Sequence, residues 1–131
     1  MADKTMNMSN FLMEDYINVL SNFLDRKDVI GYAAARNYRR LADASLDYSK
    51  IKSDLLTEYG SPLKDENGND TNTMAINRSD PNFDEVKSKL ELSGNIRHDV
   101  TIFTITYEDV INELTGNEIL QLDWMIEEAS S

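Results

Sequence analysis

The stretch that decides the fold is residues 28–59, DVIGYAAARNYRRLADASLDYSKIKSDLLTEY. Its apolar and aromatic side chains recur every three or four residues, at Ile30, Ala34, Tyr38, Leu41, Ala44, Tyr48, Ile51, Leu55 and Tyr59. This spacing is the period of an α-helix, so it predicts one amphipathic helix over the whole stretch. That helix would be roughly 48 Å long, whereas a compact domain of this chain length is only about 36 Å across.

A helix longer than its own domain needs a cover for its apolar stripe. We therefore expect the chain to bind a protein partner through this helix, and to form a homo-oligomer by doing so. Tyr38, Tyr48 and Tyr59 lie on the stripe, and tyrosine is common where a ring is buried while its hydroxyl stays hydrated. A seam inside the monomer and a seam between molecules both remain open from these residues alone.

The remaining patterns predict an α+β fold that is predominantly helical, in a single domain of residues 1–131. We expect a helical hairpin with one long helix, a short β-hairpin or small sheet, and two or three short C-terminal helices. Residues 5–11 could form a strand, residues 12–24 carry one helical stripe, and Asn67-Gly68 indicates a hairpin with a type I′ turn. Gly60 should end the long helix in the left-handed region.

The second half of the chain contains clear helix-start signals. Asp80 and Pro81 predict an N-cap and first helical position, with Gly94 as the end of that helix. The β-rich run from residue 100 to 105 predicts a strand. Thr106 with Asp109, and Thr115 with Glu118, have the spacing of capping boxes. They predict two final helices, at about residues 107–114 and 116–129.

Charge is distributed unevenly along the chain. The formal net charge is −11, and residues 98–131 contain no Lys or Arg but eight acidic residues. Direct binding of nucleic acid or of a membrane surface relies on basic side chains, so this balance opposes both. The acidic segment is either a solvated surface or a face that meets a basic protein. The absence of cysteine and of a long apolar run leads us to expect a cytoplasmic protein.

Arg36, Arg39 and Arg40 form the only basic cluster, on one side of the long helix, with Tyr32 one turn away. This cluster could dock an acidic partner, a phosphate group or the acidic tail of a neighbouring subunit. It could instead be structural, with Arg39 pairing with Asp43 at i,i+4. Together with the stripe tyrosines, the candidate protein-binding residues are Arg36, Tyr38, Arg40, Tyr48 and Tyr59.

No segment has the residue pattern of a catalytic or cofactor site. The turn at residues 65–70 is rich in oxygen ligands but fails the EF-hand spacing, because Ile76 stands where the last ligand should be. His98 is the only histidine, and it adjoins Asp99 as an expected exposed polar pair. The five glycines form no phosphate-binding loop. We expect no enzyme activity, no metal and no cofactor.

The order of several short segments resembles a family of small uncharacterised proteins from tailed phages and prophages of Gram-positive bacteria. These segments are residues 22–24 (Asn-Phe-Leu), 33–36 (Ala-Ala-Ala-Arg), 58–60 (Glu-Tyr-Gly), 64–69 (Lys-Asp-Glu-Asn-Gly-Asn) and 114–120 (Leu-Thr-Gly-Asn-Glu-Ile-Leu). The resemblance implies expression from a phage genome in a bacterial cytoplasm, and it implies no site residues. The function we expect is protein binding. The alternatives are inhibition of a host defence or nucleic-acid-handling protein through the acidic C-terminal surface, and an accessory role in the virion or tail assembly.

Overall fold

The structure, a computed structural model, describes residues 2–76, 78 and 80–127. Its fold is α+β, with about 57% helix and 23% strand. In chain order the elements are β1 (Ala2–Ser9), α1 (Asn10–Leu20), α2 (Val29–Ala44), α3 (Leu46–Tyr59), β2 (Ser61–Lys64), β3 (Asp70–Ala75), α4 (Phe83–Gly94), β4 (Arg97–Thr106), α5 (Tyr107–Val110), α6 (Gly116–Leu122) and β5 (Ile126–Glu127), with 3₁₀ turns at Ser21–Phe23 and Asp123–Met125.

The described chain divides into two compact units. Met1–Ser45 and Arg97–Ser131 form the first, and the continuous segment Leu46–Ile96 forms the second. The assignment of residues 1–131 to one domain stays a prediction.

The predicted long helix is interrupted at Ser45, so the expectation of one unbroken rod is wrong at this residue. Ser45 has φ −100° and ψ 15°, outside the helical geometry of its neighbours. Its hydroxyl donates to the Leu41 carbonyl at 2.7 Å, and its backbone N–H also bonds there at 3.0 Å. A serine hydroxyl that bonds the carbonyl four residues earlier disturbs regular helix geometry. The interruption at Ser45 therefore has a local cause.

The apolar stripe of residues 28–59 is largely covered by its own chain. Ile30, Ala34 and Leu41 are fully buried, and Tyr48 and Leu55 are buried as well. Tyr38, Ala44 and Tyr59 are half-buried, and Ile51 is 40% exposed. The argument for a partner from an uncovered stripe therefore fails, because little of the stripe is left to cover.

The first unit is built on a three-stranded sheet of order β1-β4-β5. β1 and β4 pair antiparallel over eight consecutive residues without a register shift, whereas β5 runs parallel to β4 at Ile105 and Thr106. α1 and α2 pack with this sheet around one hydrophobic core. The completely buried side chains of that core are Met8, Met13, Leu20, Ile30, Ala33, Ala34, Leu41, Ile102, Ile105, Val110, Leu122 and Met125.

The second unit contains α3, the β2–β3 hairpin and α4. The hairpin is confirmed, but its turn is not type I′, because among the described residues only Gly68 has positive φ, at 81°. Gly68 N–H bonds the Asp65 carbonyl, and Asp65 N–H bonds the Asn69 carbonyl, which makes a longer loop with one left-handed glycine. Gly60 ends α3 without positive φ. The reason for glycine here is space, because a Cβ added at Gly60 would lie 2.3 Å from the Leu56 carbonyl oxygen.

The local helix-start signals are mostly confirmed. Both capping boxes form, so Thr106 and Thr115 start α5 and α6 as predicted. These two helices are shorter than expected, and the predicted extension to residue 129 lies partly outside the described residues. α4 begins at Phe83 rather than at Pro81, because the Asp80 carboxylate accepts from Asn82 N–H in a preceding turn.

The first strand lies at Ala2–Ser9 rather than at residues 5–11, because the Ser9 hydroxyl accepts from Leu12 N–H and starts α1 at Asn10. The strand predicted at residues 100–105 is confirmed and extends over Arg97–Thr106.

The start of α2 is fixed by an ion pair and a cap. The Asp28 carboxylate accepts from Gly31 N–H at 3.2 Å and binds the Arg26 guanidinium at 2.6 Å. The hydrogen bond from Arg26 holds the pKa of Asp28 below its ordinary value. Arg26 also reaches the carboxylate of Glu113 at 3.6 Å, so it links the α2 start to the segment after α5.

Asp28→Asn tests this ion pair through pH. Asn can still cap the helix but carries no charge. We therefore expect the free energy of unfolding at pH 7 to fall by about 0.5–1 kcal/mol. Because the pKa of Asp28 is lower in the folded state, the charge of Asp28 stabilises the fold above the unfolded-state pKa of about 4. This stabilisation is lost as pH falls through the folded-state pKa. Urea unfolding followed by Trp124 fluorescence checks this. The exposed Asp25→Asn serves as control, and an undiminished difference at acid pH would refute the assignment.

Gly31→Ala tests the close contact beneath the first turn of α2. A Cβ at Gly31 would lie 2.0 Å from the Arg26 carbonyl oxygen, a backbone atom that cannot move aside cheaply. We expect a loss of about 1–3 kcal/mol in the free energy of unfolding, as for other overpacked sites. Gly116→Ala is the matched control, because its Cβ meets nothing within 4 Å. Equal stability of the two variants would contradict the packing described here.

Candidate functional site

Three side chains of the first unit form an exposed arginine–aromatic cluster, which we define as Tyr32, Arg36 and Phe103. The guanidinium carbon of Arg36 lies 5.6 Å from the Tyr32 ring centroid and 5.0 Å from that of Phe103. The two rings meet edge to face, 5.6 Å apart at 82°. Arg36 Nη1 also donates to the Tyr32 hydroxyl at 2.8 Å. The guanidinium is therefore held in one position although Arg36 is exposed and Tyr32 is 52% exposed.

Helix α2 and strand β4 hold the cluster together. Tyr32 and Arg36 are one helical turn apart, so their side chains are neighbours on the surface of α2. Phe103 is fixed from the same helix by Asn37, whose amide nitrogen donates to the Phe103 carbonyl at 2.8 Å. The amide oxygen of Asn37 accepts from Phe103 N–H at 2.6 Å. Asn37 is completely buried, and its amide takes the place that a neighbouring strand would occupy.

The other two arginines of the predicted basic cluster differ in their surroundings. Arg40 is half-buried, bonds the Asp3 carboxylate at 3.0 Å and donates to the Thr101 carbonyl at 3.2 Å. Arg39 is exposed, and the predicted pair with Asp43 does not form within the described residues. Arg40 thus has a structural role, whereas Arg36 and Arg39 remain exposed cations on α2.

The structure brings together only part of the predicted site. Arg36 and Arg40 lie on the side of α2 that meets β4. Tyr38 is half-buried against the hydrophobic core of the first unit, and Tyr48 is buried and offers no exposed surface. Tyr59 belongs to the second unit, where a hydrogen bond with Glu58 raises the pKa of its hydroxyl. Sequence reasoning missed Phe103, because the contact between residues 36 and 103 depends on the tertiary fold.

Other parts of the described chain show less that suggests a site. The second unit has an apolar cavity of about 180 Å³, lined by Leu56, Ile76, Phe83, Val86, Lys87 and Leu90. Within residues 2–76, 78 and 80–127, no three acidic or histidine side chains are arranged to hold a metal ion. None of the helices in that part of the chain is long and apolar enough to cross a membrane.

Comparisons with protein-family models, with curated proteins and with solved structures gave no match to this chain. The resemblance to phage proteins therefore stays a prediction.

Asn37→Ala tests how the cluster is positioned. The substitution leaves the N–H and C=O of Phe103 without their partner, and an unsatisfied buried polar group costs about 1–3 kcal/mol. We expect the free energy of unfolding to fall by that amount in urea titrations. Asn18→Ala is the control, because Asn18 lies exposed on α1. An effect of Asn37→Ala as small as that of the control would show that the amide does not fasten α2 to β4.

Proposed function

We propose that this protein has no catalytic activity and works by binding another protein through the arginine–aromatic cluster on α2 and β4. A phage or prophage origin and the cytoplasm of a bacterial host are part of the proposal, and they rest on the resemblance alone. The observation that carries the proposal is the exposed Arg36 guanidinium held over the rings of Tyr32 and Phe103.

The chemistry of the cluster suits a protein interface. Arginine and aromatic side chains are enriched at the energetic centres of interfaces, where large rigid groups lose little conformational freedom on binding. The bond from Arg36 to the Tyr32 hydroxyl supports such preorganisation. A partner can reach Tyr32 and Arg36 without any rearrangement of this chain, because both residues are already exposed.

The expected partner carries a carboxylate at its contact surface. A guanidinium has five N–H donors, and Arg36 uses one of them for Tyr32. In the described chain no carboxylate pairs with Arg36. A partner carboxylate could therefore accept two parallel hydrogen bonds from Arg36, with exposed Arg39 adding positive charge one turn away.

The alternative of an acidic surface that inhibits a host protein is less well supported. Several carboxylates of residues 98–131 already serve the fold. Asp109 and Glu118 complete capping boxes, Glu113 approaches Arg26, and Asp99 accepts from the Asn7 amide at 2.9 Å. These four groups are held by intramolecular bonds, which leaves fewer carboxylates for a mimic of a phosphate backbone.

Arg36→Glu tests the proposal by reversing the charge at the centre of the cluster. Immobilised wild-type and variant proteins would be incubated with bacterial lysate, and bound proteins quantified by mass spectrometry. We expect at least one protein to be retained by the wild type and to lose about tenfold or more in binding to the variant. Such a loss corresponds to about 1.4 kcal/mol. The loss should diminish as salt screens the wild-type contact.

Lys27→Glu is the matched control, because it makes the same charge change at an exposed position of the same unit. The control should retain the partner that Arg36→Glu loses. The proposal fails if no bound protein distinguishes Arg36→Glu from Lys27→Glu while circular dichroism shows both to be folded.

A further inference from the structure

Strand β1 lies at the edge of its sheet and offers a regular backbone to a further strand. Among the described strands it pairs with β4 alone, over eight consecutive residues without a bulge. β1 contains no proline, and the side chains from Ala2 to Thr5 are all exposed. Exposed regular edges are the sites at which sheets extend by adding a strand from another chain.

The Asn37 contact shows which backbone groups of β1 are not bonded to β4. Phe103 gives its N–H and C=O to Asn37, so Phe103 and its partner Asp3 form a non-hydrogen-bonded pair. Antiparallel pairs alternate in this respect. The backbone groups of Asp3, Thr5 and Asn7 therefore point away from β4, towards the open edge.

The charges of β1 favour one antiparallel register with a second copy. Asp3 and Lys4 are the only charged residues in the strand. A two-fold axis at Lys4 would set Lys4 opposite Lys4, and an axis at Asp3 would set Asp3 opposite Asp3, both repulsive. An axis at Thr5 sets Lys4 opposite Met6 and Asp3 opposite Asn7. It also leaves Ser9, the N-cap of α1, outside the pairing.

That register also places opposite charges together. The Arg97 guanidinium donates to the side chain and the backbone carbonyl of Asn7. Asp3 of a second copy, directly opposite Asn7 on the same face, would reach this guanidinium. The Asp3 carboxylate already binds Arg40 of its own chain. It would then lie between two arginines, and Arg97 would exchange its bond to the Asn7 carbonyl for the incoming strand.

We propose that two copies of this chain pair through antiparallel β1 strands around a two-fold axis at Thr5, with Asp3 of each copy against Arg97 of the other. A second copy fits this edge because its Asp3 would lie beside Arg97, while Lys4 would lie opposite the uncharged Met6. This dimer goes beyond the proposed function, and it does not involve Arg36, Tyr32 or Phe103.

Thr5→Pro tests the pairing through the backbone. Thr5 N–H points to the open edge, so proline removes a donor from the dimer and no bond from the β1–β4 ladder. Light scattering after size exclusion, in a series reaching about 1 mM, should show wild type and Thr5→Val approaching twice the 15.0 kDa monomer mass. Thr5→Pro should stay at the monomer mass with unchanged Trp124 fluorescence. A wild type that is monomeric at every concentration overturns the proposal.

Disulfide trapping tests the register and does not depend on proline being tolerated. The chain contains no cysteine, so single Lys4→Cys and Met6→Cys variants report only on introduced thiols. A mixture of the two should form a mixed disulfide on mild oxidation, because residues 4 and 6 face each other across the axis. Dimers formed by Lys4→Cys alone or by Met6→Cys alone would indicate another register and refute the proposal, as would the absence of any cross-link in the mixture.

Discussion

The buried amide of Asn37 is the interaction on which the arrangement of the first unit depends. It satisfies both backbone groups of Phe103 with two hydrogen bonds of 2.8 and 2.6 Å. A side chain here replaces a strand, because within the described residues β5 pairs with β4 at Ile105 and Thr106 and not at Phe103. The same contact fastens α2 against β4 and positions Phe103 beside Arg36. It also requires the Phe103 backbone groups to point away from β1, which agrees with the outward direction of the backbone groups of Asp3.

In the proposed function, helix α2 binds through its polar side and not through the apolar stripe from which the sequence predicted binding. Its apolar side is used inside the molecule, where Ile30, Ala34 and Leu41 are fully buried. The helix ends at Ala44, and Ser45 separates it from α3. The face that carries Arg36 and Arg39 stays exposed, and it is the face that we propose for a partner. Edge pairing of β1 would provide self-association without the helix.

The sequence was a good guide where structure depends on neighbours along the chain, and a poor one where it depends on tertiary contacts. The capping boxes at Thr106 and Thr115 and the strand after Arg97 are confirmed, because their signals lie within a few residues. The sequence around Ser45 contains no glycine or proline that would predict the interruption. Tyr32 could be placed near Arg36 by helical spacing. Phe103 could not, because it lies 67 residues from Arg36 and no spacing pattern in the sequence predicts a contact over that separation.

Amide hydrogen exchange at Phe103 tests the central claim most directly. If the Asn37 oxygen accepts from Phe103 N–H, this amide should exchange as slowly as those of the β1–β4 ladder, although no described strand lies on its side of β4 at this position. In Asn37→Ala its exchange should quicken far more than that of Ile102, which pairs with Lys4. Fast exchange at Phe103 in the wild-type protein would contradict the account, because α2 would then not be fastened to the sheet by this amide.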